Sequence, residues 1–382
     1  MSNLHDHLFG ETQNIVRSNV KRFVDQHIID HIDDWEESNS FPRELYKTAG
    51  DAGILGIGHP EKFGGSGGDI FCKIAASEEL MRAGSGGLVA SLGSIDIGLP
   101  PLSKWGSPDL QERIIPSIIS GEKIIALAIT EPSGGSDVAN LKTRAVRDGD
   151  TYVLNGSKTF ITSGQRADYY TVAVRTGGEG YGGISLILVE RDAPGFTRGR
   201  NLKKTGWWAS DTAELFFDDC RVPASNLIGA ENAGFIAIMS NFEMERLNLC
   251  VMANMTAELA FEEALRYVKE RHAFGKPLAR FQVLKHKLAE MATQIEASKT
   301  LTYSLATAMQ QGKSVIKEVS MAKNFATNTS DRVTYDAVQI FGGMGYMRES
   351  KVERLARDNR ILAIGGGTYE IMNEVIAKQL GL

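Results

Sequence analysis

The sequence predicts an α+β protein of three consecutive parts, helical, then sheet, then helical again, and three observations carry that reading. From residue 11 to about 122 apolar residues recur at helical spacing, as in Ile15, Val20, Phe23, Val24, Ile28 and Ile29, with glycine clusters between the later helices. From about 124 to 223 the pattern becomes short β-rich runs: IIALAIT, TYVLNGSKTFIT, YYTVAVRT, ISLILVE and AELFFDD. From about 231 onward long amphipathic stretches return, broken mainly at Gly312 and across Gly342–Gly345. The expected domains are therefore 1–123, all-α; 124–230, a small β-barrel or sandwich; and 231–382, helical and four-helix-bundle-like.

Within the middle part, Asp148-Gly149 between TRAVR and TYVL marks a hairpin, and the glycines at 177, 178, 180, 182 and 183 mark a second turn. The helix, sheet, helix order excludes a doubly wound nucleotide-binding fold, in which strands and helices alternate throughout. Gly342, Gly343 and Gly345 follow the helical run DRVTYDAVQIF rather than a strand, and no GxxxxGK[ST] occurs.

Composition bounds the function. At 382 residues, 42% hydrophobic and 23% charged, the chain can bury substantial cores. The formal charge of −5, with no run of five basic residues, gives no reason to expect nucleic acid as a partner. Cys72, Cys220 and Cys250 are far apart and lack CxxC pairing, so neither a disulfide framework nor a metal site is expected and a reducing compartment is the simplest setting. The start MSNLHDHLFG lacks a signal core or presequence character, and no stretch reaches the length of a membrane span. The expected location is the bacterial cytoplasm, with a processed organellar protein left open.

Five segments carry a resemblance: ALAITEPSGGSDVANLKTRA (126–145), NGSKTFITSG (155–164), RHAFGKPLARFQ (271–282), QIFGGMGYM (339–347) and RDNRILAIGGGTYEIM (357–372). Together they make the chain resemble the acyl-CoA dehydrogenase family over its whole length. The resemblance implies that fold, FAD as cofactor and an acyl-CoA substrate. It implies that Ile129, Thr130 and Ser136 line the flavin and the start of the pantetheine channel, with Phe160 and Thr162 as the other wall. Many relatives have tryptophan where Phe160 stands. The adenine and pyrophosphate end falls to Arg271, Phe274, Gln282, Gln339, Gly342 and Gly343 across a subunit interface, and Thr368 and Glu370 also contact the dinucleotide. Shared sites imply a homotetramer built as a dimer of dimers, and an electron-transfer flavoprotein as acceptor.

One departure sets the chemistry. Commoner members read Tyr-Glu-Gly-Thr, with the glutamate as catalytic base, whereas this chain reads Gly365-Gly366-Gly367-Thr368. Glycine cannot take a proton, although the Gly366 N–H can donate to a thioester carbonyl. The chain resembles the long-chain and isovaleryl-CoA dehydrogenase branch, in which a glutamate before an arginine on an earlier helix replaces it. That implies Glu245 as base, Arg246 as an orienting group and Phe242 on the acyl channel. Spacing supports the choice independently: Glu245, Leu249, Met252, Thr256 and Leu259 share one helix face, and apolar surroundings raise a carboxyl toward neutrality. A helix-start glutamate in water is the alternative, and Glu243, two positions away, is the weaker candidate.

By the same resemblance 84–102 forms the far end of the acyl pocket. Gly84, Gly86, Gly87, Ala90, Ser91 and Gly93 would leave room there for a long or branched chain, while Arg82 and Asp96 are either solvated charges or selectors of a polar acyl tail. The expected activity is α,β-dehydrogenation of a medium-to-long or branched saturated acyl-CoA to the trans-2-enoyl-CoA. Two rivals remain: a flavin-containing thioester lyase acting on a polar acyl-CoA, and a non-catalytic acyl-CoA-binding or assembly protein.

Overall fold

The computed structural model describes residues 4–382. Its first part is built of helices α1 (Glu11–His27), α2 (Ile32–Ser38), α3 (Glu44–Asp51), α4 (Ile70–Met81), α5 (Gly86–Leu92), α6 (Ser94–Gly98), α7 (Pro100–Trp105) and α8 (Pro108–Ile119). The apolar stripe of α1 behaves as a stripe must: Val20, Phe23 and Val24 are buried, as is Ile28 at its end. Ile15 and Ile29 are exposed, against expectation. Ile15 lies about 100° around the helix from Val16, which packs on the core, and Ile29 falls beyond the last turn.

The middle part is one eight-stranded sheet of β1 (Ile125–Ala128), β2 (Arg144–Asp148), β3 (Thr151–Thr162), β4 (Tyr169–Arg175), β5 (Ile184–Glu190), β6 (Phe196–Asn201), β7 (Thr212–Pro223) and β8 (Leu227–Ile228), in the order 6-7-3-2-4-5-8. The predicted hairpin is there: Asp148 pairs with Thr151 around Gly149, whose φ is +59°. The sheet forks at β4, where β1 pairs with 169–172 and β2 with Arg175. The fork brings the chain leaving β1 beside β3, where Thr159 N–H donates to Thr130 O at 2.9 Å.

The last part holds three long helices, α9 (Gly234–Glu270), α10 (Gln282–Gln310) and α11 (Ile316–Phe341), joined by the short pair β9 (His272–Ala273) and β10 (Lys276–Pro277), and closed by α12 (Lys351–Asn359) and α13 (Tyr369–Gln379). α9 packs on both α10 and α11, and α13 packs on α11. One apolar core runs from α1 through the sheet to residues 247–255 of α9, and a second joins α9 to α12 further along. No helix among the described residues is long and apolar enough to cross a membrane, and no cluster of three or more His, Cys, Asp or Glu among them could hold a metal.

Candidate active site

Glu131 anchors the loop that follows β1. Its carboxylate accepts from the backbone N–H groups of Lys142 (2.6 Å) and Thr143 (2.8 Å) and from the Lys158 Nζ (2.8 Å), and Lys158 also reaches Ile129 O at 3.0 Å. Both charges are buried, so each is tolerable only because the other and these hydrogen bonds satisfy it. The loop so fixed carries Thr130 at its root and Ser136 on its exposed rim.

On β3 the pairing with β7 slips between Lys158 and Ile161. A bulge re-aims the residue within it, and Phe160 stands there with φ +59° and 69% of its surface exposed. Thr162 follows two positions on, half-buried. The backbone bond from Thr159 to Thr130 and the lysine bond from Lys158 to Ile129 O thus hold the start of the loop after β1 against the strand that carries Phe160 and Thr162.

Glu245 is the twelfth residue of α9 rather than a helix-start residue, so the solvated macrodipole alternative does not apply. Leu249, Met252, Thr256 and Leu259 are all buried on its helix face. The carboxyl is enclosed by protein yet faces a cavity, which leaves it partly accessible. Burial pushes it up to about 7, against the opposing pull of the Arg246 and Lys323 cations. Its Oε2 has no hydrogen-bond partner.

Gly366 lies directly opposite. A Cβ placed on Gly366 would stand 3.5 Å from Glu245 Oε1, 3.7 Å from Lys323 Cε and 2.6 Å from Leu249 Cδ1, and its φ of +64° is one that only glycine adopts without strain. The glycine loop is held by two cations: Arg246 Nε donates to Gly366 O (3.3 Å) and Lys323 Nζ to Gly367 O (2.7 Å). Among the described residues no backbone carbonyl takes the Gly366 N–H. Gly365 adds no bulk beside it. Thr368 has a structural task of its own, its Oγ1 accepting from Ile371 N–H as the N-cap of α13, and Glu370 is exposed in the first turn.

A narrow cavity that opens to solvent lies beyond Glu245. α9 supplies Met244, Leu247 and Asn248; α4 supplies Ile74 and Leu80; α5 and the residues after it supply Val89, Leu92 and Gly93. The expected pocket glycines need correction. Side chains on Gly86 or Gly87 would collide with Trp207, and one on Gly84 with Lys351, so those glycines admit neighbouring protein rather than ligand, and of the glycines only Gly93 borders the space. Phe242 is likewise absent from the lining and packs beneath the Arg246 guanidinium, 5.6 Å from ring centroid to Cζ. Arg82 is exposed and pairs with Glu79 at 3.3 Å, outside the cavity. Asp96 does face the cavity.

The remaining candidates sit elsewhere. Arg271 ends α9, Phe274 occupies the turn between β9 and β10 with 94% of its surface exposed, Gln282 opens α10, and Gln339, Gly342 and Gly343 close α11. Tyr267 stacked on Phe341, centroids 4.1 Å apart, holds the Arg271 end beside the Gly342 end. Space is open where a Cβ on Gly342 or Gly343 would lie. Two outward-facing aromatic rings, bare glycine backbone and an Arg fork fit a flavin dinucleotide, which needs planar stacking partners at one end and close backbone approach at its phosphates.

Sequence reasoning missed Lys323, Lys73, Ser77 and His59. Lys323 within SMAKNF resembles any surface lysine, and only tertiary packing buries it completely.

Family models for the acyl-CoA dehydrogenase N-terminal, middle and C-terminal domains match residues 10–122, 126–220 and 232–381. The chain is 41% identical over 376 residues to the mitochondrial long-chain specific acyl-CoA dehydrogenase of Sus scrofa, covering 98% of this chain and 87% of that one. It is 36% identical over 380 residues to the caffeyl-CoA reductase-Etf complex subunit CarC of Acetobacterium woodii, covering 97% and 99%. The crystal structure of a probable acyl CoA dehydrogenase from Mycobacterium abscessus superposes with a TM-score of 0.96 at 51% identity, over 97% of this chain and 99% of that one.

Proposed function

This chain belongs to the acyl-CoA dehydrogenase family, and from that premise we propose how its residues divide the work of converting a saturated acyl-CoA to its trans-2-enoyl-CoA. Bound FAD supplies the two-electron oxidant that accepts the β-hydride. Glu245 removes the α-proton. The observation that carries this assignment is the unpartnered carboxyl, raised to about 7, which stands against the bare Gly366 and borders the cavity. A carboxylate in that state is both basic enough and free enough to take a carbon-bound proton near neutral pH. The Gly366 N–H donates to the thioester carbonyl, stabilising the charge that develops as the proton leaves. Arg246 and Lys323 hold that loop in place through its carbonyls and keep the deprotonated base from being prohibitively unstable.

Ile129, Thr130, Ser136, Phe160 and Thr162 hold the flavin end, with Thr368 and Glu370 nearby. Arg271, Phe274, Gln282, Gln339, Gly342 and Gly343 hold the adenine and pyrophosphate of a partner subunit, within a dimer of dimers. The electrons leave to an electron-transfer flavoprotein, a pairing that the name of the Acetobacterium relative gives for that protein. A reducing compartment, the bacterial cytoplasm, suits a chain whose Cys72, Cys220 and Cys250 are free and buried.

The test is an anaerobic titration of FAD-loaded wild type and Glu245→Gln with acyl-CoAs of graded length and branching, following flavin bleaching and enoyl-CoA formation. The expected result is a loss of roughly 10²–10⁴-fold in the variant, with FAD and ligand still bound. Equal rates in the two proteins would remove Glu245 from the mechanism.

A further inference from the structure

One wall of the cavity beside Glu245 is not hydrocarbon. Lys73 of α4 and Asp96 of α6 both line it, and their ion pair, 2.8 Å from Nζ to Oδ1, faces the space that an acyl chain would fill. Ser77, one turn beyond Lys73, also lines it, and its buried Oγ has no hydrogen-bond partner. His59 comes from the loop after α3; it is 4% exposed, and its Nε2 stops 3.4 Å from Asp96 Oδ1 without forming a hydrogen bond. Gly58, with φ +74°, leaves room for the lysine stem, since a Cβ there would stand 2.0 Å from Lys73 Cε and push the side chain aside. Burial opposes ionisation of Asp96, but Lys73 and His59 hold its carboxyl well below the usual range. Asn241, one turn before Glu245, donates to Ile97 O at 3.3 Å. The polar group therefore lies alongside the same stretch of α9 that carries the proposed base.

We propose that this cluster recognises a neutral hydrogen-bonding group, a hydroxyl or an oxo oxygen, on the distal part of the acyl chain, so that oxygenated acyl-CoAs are the preferred substrates. Buried polar groups left without partners are costly, and a purely aliphatic tail would strand Ser77 and part of the ion pair. The two charges already balance each other. An acyl tail ending in a carboxylate would meet Asp96, and one ending in an ammonium would meet Lys73, whereas a hydroxyl can donate to the free aspartate oxygen and accept from lysine or serine. A site built to hydrogen-bond a substrate group discriminates strongly against analogues lacking it.

The inference rests on the acyl-CoA dehydrogenation reading, and the experiment separates the two. FAD-loaded protein is titrated anaerobically with C6 to C12 acyl-CoAs, each as the plain chain and as its ω-hydroxy, ω-oxo and ω-carboxy forms. Affinities for the corresponding trans-2-enoyl-CoAs are measured calorimetrically, without turnover. The expected result is that one hydroxy or oxo length exceeds its plain counterpart at least tenfold in bleaching rate constant and in affinity. That preference should vanish in the double variant Lys73→Met/Asp96→Leu, which leaves no unpaired charge, and shrink in Ser77→Ala. Equal or better performance of plain chains overturns the proposal while the dehydrogenase reading stands, and preference for the ω-carboxy form overturns its neutral-group assignment. Failure of every thioester to bleach the flavin overturns both readings. If the double variant does not fold, the wild-type panel decides alone.

Discussion

At Glu245 the decisive quantity is the state of one proton. With the carboxyl held at about 7 instead of 4.5, kcat/KM should rise with pH through about 7 and then level, since that ratio reports the free enzyme's base; Glu245→Gln should lose the inflection along with the rate. Stability should run the other way. A carboxyl raised in the folded state contributes stability that is fully present below about pH 4.5 and is lost as pH rises through 7. Glu245→Gln should therefore resist denaturation better than wild type at pH 8, by at most about 3 kcal/mol, with no such advantage at pH 4.5; urea midpoints at the two pH values check it. Glu245 was legible because Gly366 stands where a base is expected and a Glu-Arg pair occurs on an earlier helix, with the helix-face spacing of its mostly apolar neighbours only as support. Lys323, Lys73, Ser77 and His59 were not, because their burial comes from segments far apart in sequence and leaves no periodic trace.

The elements translate these residues into positions. The loop after β1 is fixed by the buried Glu131–Lys158 pair, so Glu131→Gln should cost about 3–5 kcal/mol by leaving a buried cation unmatched and should weaken FAD retention, read by denaturant melts and by absorbance after gel filtration. Thr368→Ala separates two roles. Loss of the α13 cap alone should cost about 1 kcal/mol, and a loss of FAD beyond what that destabilisation explains would show the flavin contact expected from the sequence. The strand character of β3 was readable from its composition, but the bulge that turns Phe160 outward depends on register with β7, which no single strand encodes. The glycines of 84–102 misled for a related reason. A missing side chain makes room without specifying for what, and here the occupant at Gly86 and Gly87 is Trp207.

Across the whole molecule the helix, sheet, helix order was legible from changes in hydrophobic period alone, and the interior that joins the three parts was not, since it depends on how residues 247–255 of α9 dock against the sheet and the first helices. α9 is also a ruler. It carries Glu245 near one end and delivers Arg271 at the other, 26 residues later, about 39 Å along a straight helix. On the proposed sharing of sites, that length is what lets Arg271 serve the flavin bound by a neighbouring subunit while Glu245 serves its own. Put in genetic terms, two inactive alleles should rescue each other. Chains carrying Glu245→Gln and chains carrying Arg271→Ala, each inert alone, should on mixed refolding form hybrids in which one of the two paired sites is wholly native. Random pairing would restore about a quarter of the wild-type activity, and mixing after separate assembly would restore none.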